Sequence, residues 1–148
     1  MSWLVTGGAG YIGAHVVRAL QADGQDVVVL DDLSTGRADR VPDVPLVQAS
    51  VLDRNALDRV MTEHVVTGVI HIAAKKQVGE SMADPLKYYR ENVTGLGTLL
   101  AACRDHGVDR FVFSSRAATS GLPVVSLVSA DTPCAPLSPD REGTLVAQ

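Results

Sequence analysis

Only two cysteines, Cys103 and Cys134, occur in 148 residues, far apart and without a short-range partner. That excludes a disulfide framework and a cysteine-based metal centre, so free thiols are expected, with Cys103 packed in an apolar helix. Aromatic residues are 4% of the chain, and no cluster of Lys or Arg is interleaved with them. With 13 basic residues against 17 acidic ones and a net charge of −4, nothing offers to neutralise a phosphate backbone, and no nucleic-acid partner is expected. No run approaches the roughly 18 apolar residues that span a bilayer, and no basic segment with an apolar stretch precedes the first strand pattern. No membrane partner is expected, the location should be cytoplasmic, and no metal site is foreseen.

What is present is apolar. Hydrophobic residues make up 46% of the chain and charged ones 20%, enough for one buried core rather than disorder. Short β-branched runs alternate with helical patterns. Trp3–Val5 is followed by Val16, Val17, Ala19 and Leu20; then come Val27–Leu30, Leu46-Val47, the helical set Ala56, Leu57, Val60 and Met61, and the run Val69–Ile72. From about Pro85 to His106, Tyr88, Tyr89, Val93, Leu96, Leu99, Leu100 and Cys103 mark one face of a long helix, with Gly107 at the C-cap and Phe111–Phe113 as a fifth strand. Strands that are apolar throughout indicate a parallel sheet covered on both faces. Right-handed crossovers then give an α/β fold, a Rossmann-like doubly wound parallel sheet, with its ligand crevice after Leu30, Ile72 and Phe113. Residues 1–115 form this dinucleotide-binding domain. Residues 116–148 hold four of the seven prolines and little periodicity beyond Pro123–Val128, and read as an extended or partly disordered tail.

The chemistry starts at Thr6-Gly7-Gly8-Ala9-Gly10-Tyr11-Ile12-Gly13, directly after the first strand. Gly8, Gly10 and Gly13 satisfy G-x-G-x-x-G, where glycine allows a tight turn, lets backbone N–H groups approach a pyrophosphate, and permits close packing of helix on strand. The pattern alone is weak, but its place between strand and helix makes it specific. Eighteen residues beyond Gly13, Asp31 ends the second apolar run. Its carboxylate can accept both adenosine ribose hydroxyls and would repel a 2′-phosphate, which favours NAD over NADP.

With the glycine turn, three further stretches carry a resemblance: Val29-Leu30-Asp31-Asp32-Leu33-Ser34-Thr35-Gly36, Val69 to Ser81 (VIHIAAKKQVGES) and Tyr88-Tyr89-Arg90-Glu91-Asn92-Val93. Over residues 1–115 the chain resembles the UDP-glucose (UDP-galactose) 4-epimerase family of the extended short-chain dehydrogenase/reductases. The resemblance implies a tightly held NAD that takes a hydride from C4 of a UDP-hexose and returns it to the other face. It places Gly7, Gly10, Tyr11 and Ile12 at the pyrophosphate and Asp31 at the ribose. Asp32, Ser34, Thr35 and Gly36 would form the adenosine-side loop, and Ser50 and Val51 the adenine edge. Ile72, Ala73, Ala74 and Lys76 would lie along the cofactor, with Asn92 and Ser114 near the nicotinamide ribose.

The catalytic positions depart from the family. Where the family has three hydroxyl residues in a row, the chain has Ser114-Ser115-Arg116, and the family's Ala-x-Val-Tyr-Gly is Ala117-Ala118-Thr119-Ser120-Gly121. The Pro-Tyr-x-x-x-Lys motif, which supplies the acid/base tyrosine and its activating lysine, is Pro139-Asp140-Arg141-Glu142-Gly143-Thr144. General-base catalysis worth about 10²–10⁴-fold has no carrier, and a carboxylate of ordinary pKa at Asp140 is a poor substitute. No catalytic residue is assigned. The resemblance also implies that the fold is truncated, lacking the substrate-binding domain and the family's next long helix, so a UDP-sugar should bind poorly. The expectation is a NAD-binding pseudoenzyme that self-associates through apolar surface left open. The alternatives are an active NAD-dependent UDP-sugar epimerase completed by another subunit, and a regulatory or interaction module.

Overall fold

The computed structural model describes residues 2–115, 136 and 138–146. Five parallel strands form one sheet in the order β3-β2-β1-β4-β5. They are β1 (Ser2–Thr6), β2 (Asp26–Asp31), β3 (Leu46–Gln48), β4 (Val66–His71) and β5 (Arg110–Phe113). The strand order reverses between β1 and β4, so the chain leaves β1 at the switch point of a doubly wound sheet. Helices α1 (Tyr11–Ala22) and α2 (Arg54–Glu63) follow β1 and β3. The expected helix over 85–106 is present as α4 (Pro85–Tyr88), a wide π-helical stretch (Tyr89–Thr94) and α5 (Gly95–Asp105), and α3 (Val78–Ala83) precedes it.

Why the strands are apolar throughout is visible in the two cores. Leu4, Val28, Leu30 and Val69 point to one face and pack with Leu57, Val60 and Met61 of α2 and Leu99, Ala102 and Cys103 of α5. Val5, Val27 and Val29 point to the other face and pack with Ala14 and Val17 of α1. Alternate residues of one strand are thus buried on opposite sides, as the period-2 geometry of a strand requires. Helix ends follow their caps. Asp53 accepts the Ala56 N–H at 3.0 Å to start α2. Gly107, at φ +67°, closes α5 with Gly107 N to Arg104 O and Val108 N to Cys103 O bonds, a Schellman pair.

The chain divides into two compact units, Met1–Ala74 with Gly95–Ser114, and Lys75–Thr94 with Ser115–Gln148. Residues 75–94 group with the C-terminal part. Within the segment expected to be extended or partly disordered, Pro139–Val146 forms a helix, α6. Ser138 provides the cap, its carbonyl accepting from Arg141 N and Glu142 N. Pro139 takes the first helical position, where its missing N–H costs nothing, and Asp140 and Glu142 in the first turn complement the helix dipole. Arg116 to Gly121, the run Pro123–Val128 and Cys134 lie outside the described residues. Cys103 is buried and free, and burial pushes its thiol up to about 11. Among the described residues, no helix is long and apolar enough to cross a membrane, and no group of acidic, His and Cys side chains could hold a metal.

Two local features yield tests. Val65 follows α2 at φ +49°, a conformation costly for a β-branched side chain. It is 65% exposed, so no packing holds it there. Val65→Gly is expected to stabilise the chain by roughly 0.5–1 kcal/mol, read as a rise in Tm. His71 is buried, with Thr6 Oγ1 at 2.6 Å from its Nδ1, and desolvation lowers its pKa from 6.5 to about 4. Below pH 6.5 the unfolded chain takes up a proton that the folded chain refuses. Stability should therefore fall by about 3 kcal/mol between pH 6.5 and 4, and His71→Asn should flatten that part of the denaturation profile.

Candidate cofactor-binding site

The glycine turn is shaped by backbone crowding. Gly7 has φ +72°, and a Cβ on it would lie 2.6 Å from the backbone nitrogen of Ala73. A Cβ on Gly13 would lie 2.1 Å from the carbonyl oxygen of Gly7. Side chains at these two positions would push the turn off the end of β4 or push α1 off the turn. Gly10 is the N-cap of α1 and has no side chain to cap it. The first N–H groups of a 12-residue helix thus lack the side-chain oxygen that usually satisfies them, which is the arrangement that receives an anion. Tyr11 and Ile12, in the first turn, are 71% and 54% exposed.

Asp31, at the end of β2, is 7% exposed. Its Oδ2 accepts from Ala9 N at 3.0 Å and its Oδ1 from Leu33 N at 2.9 Å. A carboxylate has about four lone-pair directions, so two remain for vicinal hydroxyls. Leu33 adopts φ +57° to make its bond, a strained conformation beside a candidate site. Gly36 lies so close that a Cβ there would be 2.8 Å from Asp31 Oδ1 and 3.0 Å from the Cβ of Ala9. Ala9 O in turn accepts from Arg37 N at 3.0 Å and from Arg40 Nη1 at 3.3 Å. Asp32 turns its carboxylate on its own loop, accepting from Ser34 N at 2.9 Å and Ser34 Oγ at 2.6 Å, and Thr35 is exposed.

Other expected positions fall as follows. Ile72 N donates to Thr6 O at 3.0 Å, which sets Ile72 and Ala73 beside the glycine turn, with Ala74 exposed after them. Ser114 N donates to His71 O at 3.0 Å, at the end of β5. Ser50 Oγ accepts from Leu52 N at 3.1 Å. Val51 is a core side chain, leaving only its backbone to offer a ligand. Gly7, Gly10, Asp31, Gly36, Ile72 and Ala73 are brought together in the first unit. Lys76 and Asn92 belong to the second.

In that second unit Lys76 is exposed, while Asn92 is buried and holds one peptide with both ends of its amide. Its Oδ1 accepts from Lys75 N at 2.8 Å and its Nδ2 donates to Lys75 O at 2.9 Å. Tyr88 OH accepts from Gln77 N at 3.1 Å and donates to Glu80 Oε2 at 2.7 Å. The periodicity that put Tyr88 on an apolar face gave no warning of this role. A buried phenol needs a partner, and Glu80, eight residues earlier, was the signal available.

Asp140 and Thr144 stand where the resemblance places the family's tyrosine and lysine. Asp140 is fully buried, accepts from Ser138 Oγ at 2.6 Å, and its carbonyl accepts from Thr144 Oγ1 at 2.9 Å. Its carboxylate is a helix-start group. The phenol of Tyr88 is pushed above its usual range by burial and by Glu80, and that of Tyr89 by the hydrogen bond it donates to Glu142 at 2.7 Å. A tyrosine acting as a base needs the opposite shift.

The cradle has matches among known proteins. The model of the NAD dependent epimerase/dehydratase family matches residues 3–139. The chain belongs to that family. The UDP-glucose 4-epimerase of Azospirillum brasilense is 47% identical over 146 residues, which covers 98% of this chain and 42% of that protein. A crystal structure of a UDP-glucose 4-epimerase has a TM-score of 0.97 at 39% identity, and that of the Brucella ovis UDP-glucose 4-epimerase in complex with NAD has 0.95 at 40%. Each covers 99% of this chain and 45% of its own. The chain spans less than half the length of these relatives. The sheet order and the flanking helices are those of a Rossmann-like fold, as the alternation of runs indicated.

The crowding around the turn can be tested against a glycine with space. Gly13→Ala should destabilise the chain by roughly 2 kcal/mol or more, because the atom it meets is backbone. Gly97→Ala in α5, where nothing lies within 4 Å, should stabilise it by about 0.5–1 kcal/mol. Thermal melting of both variants decides.

Proposed function

We propose that this chain binds NAD through the Gly7–Gly13 turn and Asp31, and is catalytically inactive on its own. The observation that carries the reading is the Asp31 carboxylate, buried at the end of β2, fixed by two backbone N–H groups and left with capacity for a ribose. The uncapped start of α1 suits the pyrophosphate, and the NAD in the Brucella ovis relative supports this assignment. NAD at such a site supplies a hydride acceptor. Around it, Gly7, Gly10, Tyr11 and Ile12 would take the pyrophosphate, Asp32, Ser34, Thr35, Gly36, Ser50 and Val51 the adenosine side, and Ile72, Ala73, Ala74, Lys76, Asn92 and Ser114 the nicotinamide side.

Inactivity rests on Asp140 and Thr144 standing where a proton-accepting tyrosine and its lysine are needed, and on the raised pKa of Tyr88 and Tyr89. Self-association fits the same reading: among the described residues β5 is an edge of the sheet, and Val112 on it is 50% exposed. A cytoplasmic pseudoenzyme is the resulting description.

Titration of the full chain should show ADP binding nearly as tightly as NAD, because the adenosine half of the cradle is complete and the nicotinamide half lacks its tyrosine and lysine. Asp31→Ala and Gly10→Val should abolish binding while the far-ultraviolet circular dichroism stays helical and stranded. Neither UDP-glucose nor UDP-galactose should be interconverted; turnover by the chain alone would overturn the inactivity. Light scattering should report an oligomer.

A further inference from the structure

The adenosine-side loop contains a cation that the cofactor reading does not use. Arg37 follows Gly36, whose Cα approaches the Asp31 carboxylate, and Arg37 N is bonded to the same residue, Ala9, whose own N–H is bonded to Asp31. A ribose held by Asp31 would therefore lie beside the backbone from which the Arg37 side chain extends. Planar guanidinium groups bind phosphate through two parallel hydrogen bonds, and an arginine near the ribose is what accommodates a 2′-phosphate in NADP-binding relatives of this fold. Here the Nε–Nη2 edge of that fork is taken. Arg37 Nε donates to Asp39 Oδ1 at 3.1 Å, and Arg37 Nη2 donates to Asp39 Oδ2 at 2.5 Å.

We propose that Asp39 is a specificity-determining residue that, by occupying the Arg37 guanidinium, keeps that cation from a 2′-phosphate and reinforces the preference for NAD over NADP. The inference rests on the cofactor reading above. Asp31 rejects the phosphate by charge at the ribose itself, and Asp39 removes the group that would compensate. Discrimination is thus built from a repulsive element and from the withdrawal of an attractive one. Both partners of the pair are more than half exposed, at 66% and 61%, so the lock is weak and screened by salt. Its effect on the choice of dinucleotide should be severalfold rather than orders of magnitude.

The test is calorimetric titration of the full chain with NAD and with NADP at low ionic strength, for wild type, Asp39→Asn, Arg37→Ala and the double variant. Asp39→Asn should leave NAD affinity unchanged and tighten NADP binding about fivefold. The gain should vanish in the Arg37→Ala background and shrink as salt is added. An unchanged NADP affinity in Asp39→Asn overturns the inference. So does a gain that survives loss of Arg37, since removal of one negative charge would then explain it. A wild-type chain that binds neither dinucleotide overturns the cofactor reading itself, and this inference with it. If NAD binds normally and only the NADP pattern fails, the cofactor reading stands and Asp39 has no such role.

Discussion

The carboxylate of Asp31 is the point on which the site depends. It is nearly buried at the end of β2, and burying a charge without partners is costly, so its position is tolerable only because Ala9 N and Leu33 N donate to it. Those two bonds tie the glycine turn after β1 to the loop after β2. The loop can come close enough only because Gly36 has no Cβ to meet the carboxylate, and because Leu33 accepts a left-handed backbone. The bonds from Arg37 N and Arg40 Nη1 to Ala9 O close the connection from the other side. One acid thus fixes two loops, and a ribose would meet a receptor whose geometry is set before it arrives.

The sheet below supplies the rigidity that such positioning needs. Gly7 can pass against Ala73 only if β1 and β4 are paired in fixed register, with Thr6 opposite His71. That pair is itself buried and joined by a hydrogen bond, and the imidazole lies 5.9 Å from the Phe113 ring of the neighbouring strand. A neutral His71 satisfies the Thr6 hydroxyl without bringing a charge under the turn. Among the described residues, no buried side-chain nitrogen or oxygen lacks a partner. Strain is confined to backbone positions such as Leu33 and Val65, and only Leu33 touches the site.

Much of this was legible in the sequence, for identifiable reasons. Continuous β-branched runs can only be strands buried on both faces, and a glycine turn directly after the first of them has one common use, so the sheet, the turn and Asp31 follow from pattern alone. The start of β4 was hidden because Val66-Thr67-Gly68 carries a glycine in mid-strand. The reason for that glycine is tertiary: a Cβ on Gly68 would lie 2.5 Å from the Trp3 ring, which also stacks under the Arg110 guanidinium. The helix α6 was missed although Ser138-Pro139-Asp140 is a helix start, because eight residues are too few for an apolar period to outweigh the prolines before them. The grouping of 75–94 with the C-terminal part rests on side-chain bonds such as Tyr89 to Glu142, which no local pattern announces.

The proposed reading, a dinucleotide cradle kept without the proton-transfer residues, follows from what each is made of. The cradle is mostly backbone: N–H groups of a turn and a helix start, admitted by glycines whose replacement would disturb the fold itself, as the 2.1 Å approach at Gly13 illustrates. Its single essential side chain, Asp31, is also a structural latch. Whatever preserves folding therefore preserves the cradle. The acid/base chemistry of the family rests instead on a few side chains, and those positions can be refilled by groups that serve folding equally well. Here Asp140 accepts from the Ser138 hydroxyl and Thr144 Oγ1 donates to the Asp140 carbonyl, bonds made within α6 and its start. On that reading, loss of the reaction would cost this fold nothing, whereas loss of the cradle would cost it the connection between its first two strands and their loops.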